Sequence, residues 1–151
     1  MNEENLNLNL GKVMALQKVR NKMLELSCKM DELGEPMLDD LSFLPTIYET
    51  YLEFFRKRGW QDKANKVYHR QKLILIVLYL YSPRTLAGGK MRIGLRDKLS
   101  ELFGLSAKTT ISDNSAHAVH LYQHYRDFRR DVDLMLTDIV NALGDNIIIK
   151  D

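Results

Sequence analysis

The stretch "RDKLSELFGLSAKTTISDNSAHAVHLYQHY", residues Arg96–Tyr125, decides how the chain is built. Leu95, Leu99 and Leu102, with Phe103 beside them, recur at helical spacing and mark the apolar face of a short helix. Ser100 is small where a second helix could cross closely, and Gly104 can take the left-handed conformation that ends a helix. Leu105 then plugs the corner, and "SAKTT" offers hydroxyls able to cap a second helix. In that helix Ile111, Ser115, Ala118, Tyr122 and Tyr125 share a face expected in the core, which leaves Ser112, Asp113, Asn114 and His117 outside.

Beyond Tyr125 the apolar period continues through Phe128, Val132, Met135, Leu136, Ile139, Val140 and Leu143, as one long helix or as two broken near Asp127. Gly144 ends it, and "DNIIIKD" is either a short strand or an apolar tail over the core. On the other side, "SPRTLAGGK" (Ser82–Lys90) breaks the chain at Pro83 and supplies Gly88 and Gly89 beside basic residues. It lacks the lysine-hydroxyl spacing of a P-loop, so it reads as a mobile basic loop touching phosphates or as an ordinary linker. Before it, a helix is expected from about Asp62 to Tyr81, polar at first and then continuously apolar in "LILIVLYLY" (Leu73–Tyr81). That run is too short to span a bilayer. A helix through Ile47, Tyr48, Tyr51, Leu52 and Phe55 begins near Pro45 and stops near Gly59, where Trp60 is expected to cap the core.

From about Lys12 to Leu33, Leu16, Val19, Met23, Leu26, Met30 and Leu33 alternate in steps of three and four, the seam of a helix that pairs with another helix. Two partners are open: the protein's own bundle, or a second copy joined through Leu16, Val19, Met23, Leu26 and Met30. "GEP" at Gly34–Pro36 closes the helix.

At 151 residues, with 45% apolar and 28% charged side chains, the chain fits one folded helical domain over 1–151. Within it, 11–33 is the pairing helix, 92–125 the two-helix corner and 126–143 the C-terminal helix. Cys28 is the single cysteine, and with no charged-then-apolar leader a cytoplasmic location is expected. The net charge of +2 hides an uneven distribution. Asp31, Glu32, Glu35, Asp39, Asp40, Glu49 and Glu53 precede Arg56, Lys57, Arg58, Lys63, Lys66, Arg70 and Lys72, and a second basic set (Arg84, Lys90, Arg92, Arg96, Lys98) leads into the corner. Such asymmetry points to a polyanionic partner.

The corner resembles the helix-turn-helix superfamily, in particular its sigma-factor-like and phage-encoded variety, over roughly Arg92–Tyr125. One residue more than the tightest form separates Gly104 from the anchor Ile111, so the turn is looser or the second helix starts later. The resemblance implies that the second helix reads double-stranded DNA. Lys108, Thr109 and Thr110 would meet a phosphate at its amino end, and Ser112, Asn114 and His117 would face the groove. Asn114 suits adenine and Lys108 guanine or phosphate, whereas Asp113 opposes the backbone.

Asp113, His117, His120 and His124 form a stripe along the same helix, a weak candidate for a divalent metal, and His69 is the only other histidine. No nucleophile elbow, HExxH or nucleotide fingerprint is present, so no catalysis and no cofactor are expected. The sequence therefore predicts an all-α protein of about six helices. It is expected to bind DNA as a homo-oligomeric transcription regulator or phage or mobile-element subunit, the alternative being a helical structural component of a phage particle.

Overall fold

The protein was analysed as a computed structural model that describes the backbone of residues 3–105 and 109–147, and side-chain surroundings for 10–105, 111 and 113–147. The described residues form seven α-helices and no strand: α1 Glu3–Leu33, α2 Leu44–Lys57, α3 Val67–Tyr81, α4 Pro83–Leu86, α5 Leu95–Phe103, α6 Thr109–His124 and α7 Arg126–Leu143. The chain divides into two compact units, Met1–Gly34 and Glu35–Asp151.

The first unit is α1. Leu16, Val19, Met23, Leu26, Met30 and Leu33 are all exposed, between 55% and 84%. On this unit the stripe forms one continuous apolar line.

The second unit is organised around α3. Gln71 to Leu78 are buried without interruption, because α3 is covered by α4, α6 and α7 while α2 packs on α7 and α5. A helix buried on most sides needs no polar stripe, which explains the continuous run of apolar residues. The helix starts at Val67 rather than Asp62, since Gln61–Lys63 forms a separate 3-10 turn. Trp60 does not cap the core: it is 38% exposed, with the Lys63 ammonium 4.5 Å from its ring centroid. Tyr51 takes the interior role instead, donating its hydroxyl to the Ala64 carbonyl at 2.6 Å.

The segment before α2 is tied to the end of α3. The Met37 and Leu38 amides both donate to the Leu80 carbonyl (2.9 and 3.0 Å), and the Tyr81 hydroxyl donates to the Asp40 carbonyl at 2.7 Å. Burial pushes the Tyr81 hydroxyl up to about 12, so it stays a neutral donor at physiological pH. The last two long helices part at Tyr125, whose extended backbone (φ −120°, ψ 115°) interrupts the helix two residues before Asp127. Of the C-terminal tail, Ile147 is buried against the core after a 3-10 turn at Gly144–Asn146, and residues 148–151 lie outside the described ones.

Charge also enters this interior. Lys72 of α3, 1% exposed, donates to Asp131 Oδ2 of α7 at 2.6 Å and to His69 Nδ1 at 3.0 Å, between the rings of Tyr68 and Phe128. Burial, then the Lys72 ammonium, push the His69 imidazole down to about 4, with Lys63 and Lys66 adding to the effect and Asp131 opposing it. The folded pKa lies below the unfolded value of about 6.5, so the folded state binds fewer protons between them. Stability is accordingly complete above about pH 6.5 and is lost as pH falls towards 4. Urea unfolding at pH 7.0 and 5.0 is expected to show this loss, and His69→Phe is expected to flatten it. An equal pH response in the variant would refute the assignment.

Candidate nucleic-acid interface

The corner is built as its residues foretold at its first half. Gly94 (φ 86°) starts α5, whose Leu95, Leu99 and Ser100 are buried, and Gly104 ends it in the left-handed region (φ 65°, ψ 33°). The Gly104 amide donates to the Glu101 carbonyl (3.1 Å) and the Leu105 amide to the Ser100 carbonyl (2.9 Å). This pair of bonds is a Schellman closure, which satisfies two carbonyls the helix would otherwise leave open. A Cβ at Gly104 would meet nothing within 4 Å, so the cost of Gly104→Ala is conformational alone. A loss of about 1 kcal/mol in unfolding free energy is expected, with α5 and α6 retained by circular dichroism.

α6 begins at Thr109 and lays Ile111, Ser115, Ala118 and Leu121 against the core. Leu121 takes the buried place that the spacing gave to Tyr122 and Tyr125. Tyr122 is half-buried, donating to Asp133 Oδ1 at 2.9 Å, and Tyr125 is exposed. Asn114 does not point outward either: its Oδ1 accepts from Gln71 Nε2 of α3 at 3.2 Å, so it is engaged inside the fold rather than free to pair with adenine. Asp113 and His117 are exposed as expected. Lys108 lies outside the described residues, as do the side chains of Thr109, Thr110 and Ser112.

The basic residues before the corner part company. Arg92 is half-buried, ion-paired with Asp39 at 3.2 Å and 5.9 Å from the Tyr81 ring centroid, while its amide donates to Ser82 Oγ at 3.1 Å. Its work is to fasten the loop to the end of α3. Lys98 pairs with Glu101 at 3.8 Å on the exposed side of α5, and Arg84 is exposed on α4. Lys90 and Arg96, in contrast, both line a cleft of about 710 Å³ between α6 and the end of α4 with the loop that follows it, whose walls include Thr85, Gly89, Ser115 and Ala116 and the apolar Leu86, Met91 and Val119. No ion pair engages either cation among the described residues.

The cleft depends on a tight turn. The Gly89 amide donates to the Arg84 carbonyl at 2.8 Å, and a Cβ at Gly89 would lie 2.9 Å from that same oxygen. Gly89→Ala must therefore move the loop, displacing Lys90 from Arg96.

No protein-family model, curated protein or solved structure matches this chain.

On the outer side of α6, His117 and His120 stack with ring centroids 6.3 Å apart, and His120 and His124 lie 4.5 Å apart. Among the described residues no group of three or more His, Cys, Asp or Glu side chains is arranged to hold a metal ion, so Asp113, His117, His120 and His124 do not converge as such a site requires. That face also carries no lysine or arginine among its described residues. No described helix is long and apolar enough to cross a membrane.

The sequence singled out Lys90 and Arg96 but not the wall opposite them. Small side chains at Ser115 and Ala116 leave the room, a signal present in "NSAHA" yet indistinguishable there from ordinary helix packing.

Proposed function

We propose that the chain binds double-stranded DNA, chiefly through its phosphate backbone, with α5 and α6 acting as a helix-turn-helix and without catalysing a reaction. The observation that carries this reading is the pairing of Lys90 and Arg96, both without an ion-pair partner among the described residues, in an open cleft against α6. Two unopposed cations beside a concave wall attract a phosphate through Coulomb interaction and counterion release. The amino end of α6, at Thr109, is the positive end of its dipole and favours the next phosphate along the strand. The role this supports is that of a transcription regulator or a DNA-binding subunit of a phage or mobile element.

Salt dependence is the test. Anisotropy with a labelled duplex between 50 and 200 mM salt is expected to show a steep loss of affinity, and Lys90→Ala combined with Arg96→Ala is expected to reduce the log-log slope by about 2. A second reading, a helical interaction component that never touches DNA, is favoured by the outer face of α6, whose described residues offer histidines and Asp113 but no cation. Absence of duplex binding at 50 mM salt would decide for that reading.

A further inference from the structure

We infer that α1 is a dimerisation helix whose partner is α1 of a second copy, arranged in parallel and in register from Leu16 to Leu33. The inference does not rest on DNA binding, and its test contains no DNA.

An unaccompanied helix of this kind is marginal in water, and α1 holds six apolar side chains in solvent along one line. With Leu16, Met23 and Met30 at the a positions of a heptad and Val19, Leu26 and Leu33 at d, the line is a seam of 18 residues, about 27 Å long. It has a defined start. One heptad step before Val19 the d position holds Lys12, and at about 100° per residue Leu10 and Met14 fall on nearly the opposite side of the helix.

The flanking charges choose the orientation. Beside the seam stand Arg20, Lys22 and Lys29, all positive, with Ala15 and Ser27 as the neutral flanking residues and Gly34 following the last turn. In a parallel pair each g residue meets the e residue five positions along the partner, which sets Ala15 against Arg20, Lys22 against Ser27 and Lys29 against Gly34. No cation faces a cation. In an antiparallel pair that matches the same apolar layers, Leu16 lies opposite Leu33, and Lys22 falls opposite Lys29 on both sides of the two-fold axis. Like charges at this spacing repel, so the antiparallel arrangement carries two penalties that the parallel one avoids. The parallel pair also lets both chains leave the seam at the same end.

Light scattering of the full chain is expected to give twice the 17.6 kDa chain mass. Met23→Lys is expected to give the monomer mass with the unfolding midpoint of the Glu35–Asp151 unit unchanged, because none of the core residues of that unit comes from α1. Raising salt to about 0.5 M is expected to leave the dimer intact, since no attractive charge pair holds it. Orientation is read by oxidation in a Cys28→Ser background: Leu33→Cys alone is expected to give a covalent dimer on a non-reducing gel. A monomer at micromolar concentration overturns the proposal. So does a dimer in which Leu33→Cys links only to a Leu16→Cys chain, the signature of the antiparallel pair.

Discussion

Asp131→Ala is expected to cost the Glu35–Asp151 unit about 3 kcal/mol of unfolding free energy. The Lys72 side chain is 1% exposed, and its ammonium has two oxygen or nitrogen partners within 3.0 Å, the Asp131 carboxylate and His69 Nδ1. Removing the carboxylate leaves a buried cation with one neutral acceptor and the faces of Tyr68 and Phe128, 4.8 and 5.7 Å away. Breaking a buried pair from one side is worth roughly 3 to 5 kcal/mol, and Asp131, 18% exposed, lets water approach the vacated place, which sets the lower figure. Replacing both partners with apolar groups, Lys72→Met with Asp131→Leu, removes the charge along with its partner and is expected to cost far less. Urea unfolding of Lys72→Met, Asp131→Leu and the double variant forms a cycle that isolates the pair. A single variant within 1 kcal/mol of the parent would show that the ammonium escapes to water.

Phe55→Ala is expected to be still more damaging, about 4 kcal/mol. The ring is fully buried, edge-on to Tyr51 (5.0 Å), Phe54 (5.5 Å) and His69 (5.1 Å). Its loss opens a cavity between α2 and α3 that these three neighbours cannot refill without leaving their rotamers. A second readout separates packing from electrostatics. The ring is part of what keeps water from His69, so the imidazole is expected to rise from about 4 towards the ordinary histidine value in the variant, and the loss of stability between pH 6.5 and 5 is expected to shrink. Titration of the His69 resonance by NMR measures this directly. Destabilisation without a pKa change would mean that the low value is owed to Lys72 alone.

The helical class was readable because its signals are local: 3.6-residue periodicity through α5, α6 and α7, Pro45 in the first turn of α2, and glycine at 104 and 144 where a helix ends. Where the reading failed, a tertiary contact had outweighed periodicity. Asn114 lies on the side of α6 that spacing assigns to solvent, yet Gln71, itself buried inside α3, requires a partner and takes it. Trp60, expected over the core, lies instead at the surface beneath Lys63. The candidate site shows the same division. Arg92 and Lys90 are alike as sequence, and only the placement of Asp39 and Tyr81 makes one a fastener and leaves the other open to a ligand. The Lys72–Asp131 pair spans 59 positions, a separation over which no sequence period connects two residues.

The interior of the Glu35–Asp151 unit is assembled wholly from its own helices. On the proposed pairing of α1, grafting a trimeric or strictly monomeric helix ahead of Glu35 is expected to reset the number of copies that associate, while a core built from residues beyond Gly34 keeps its own packing.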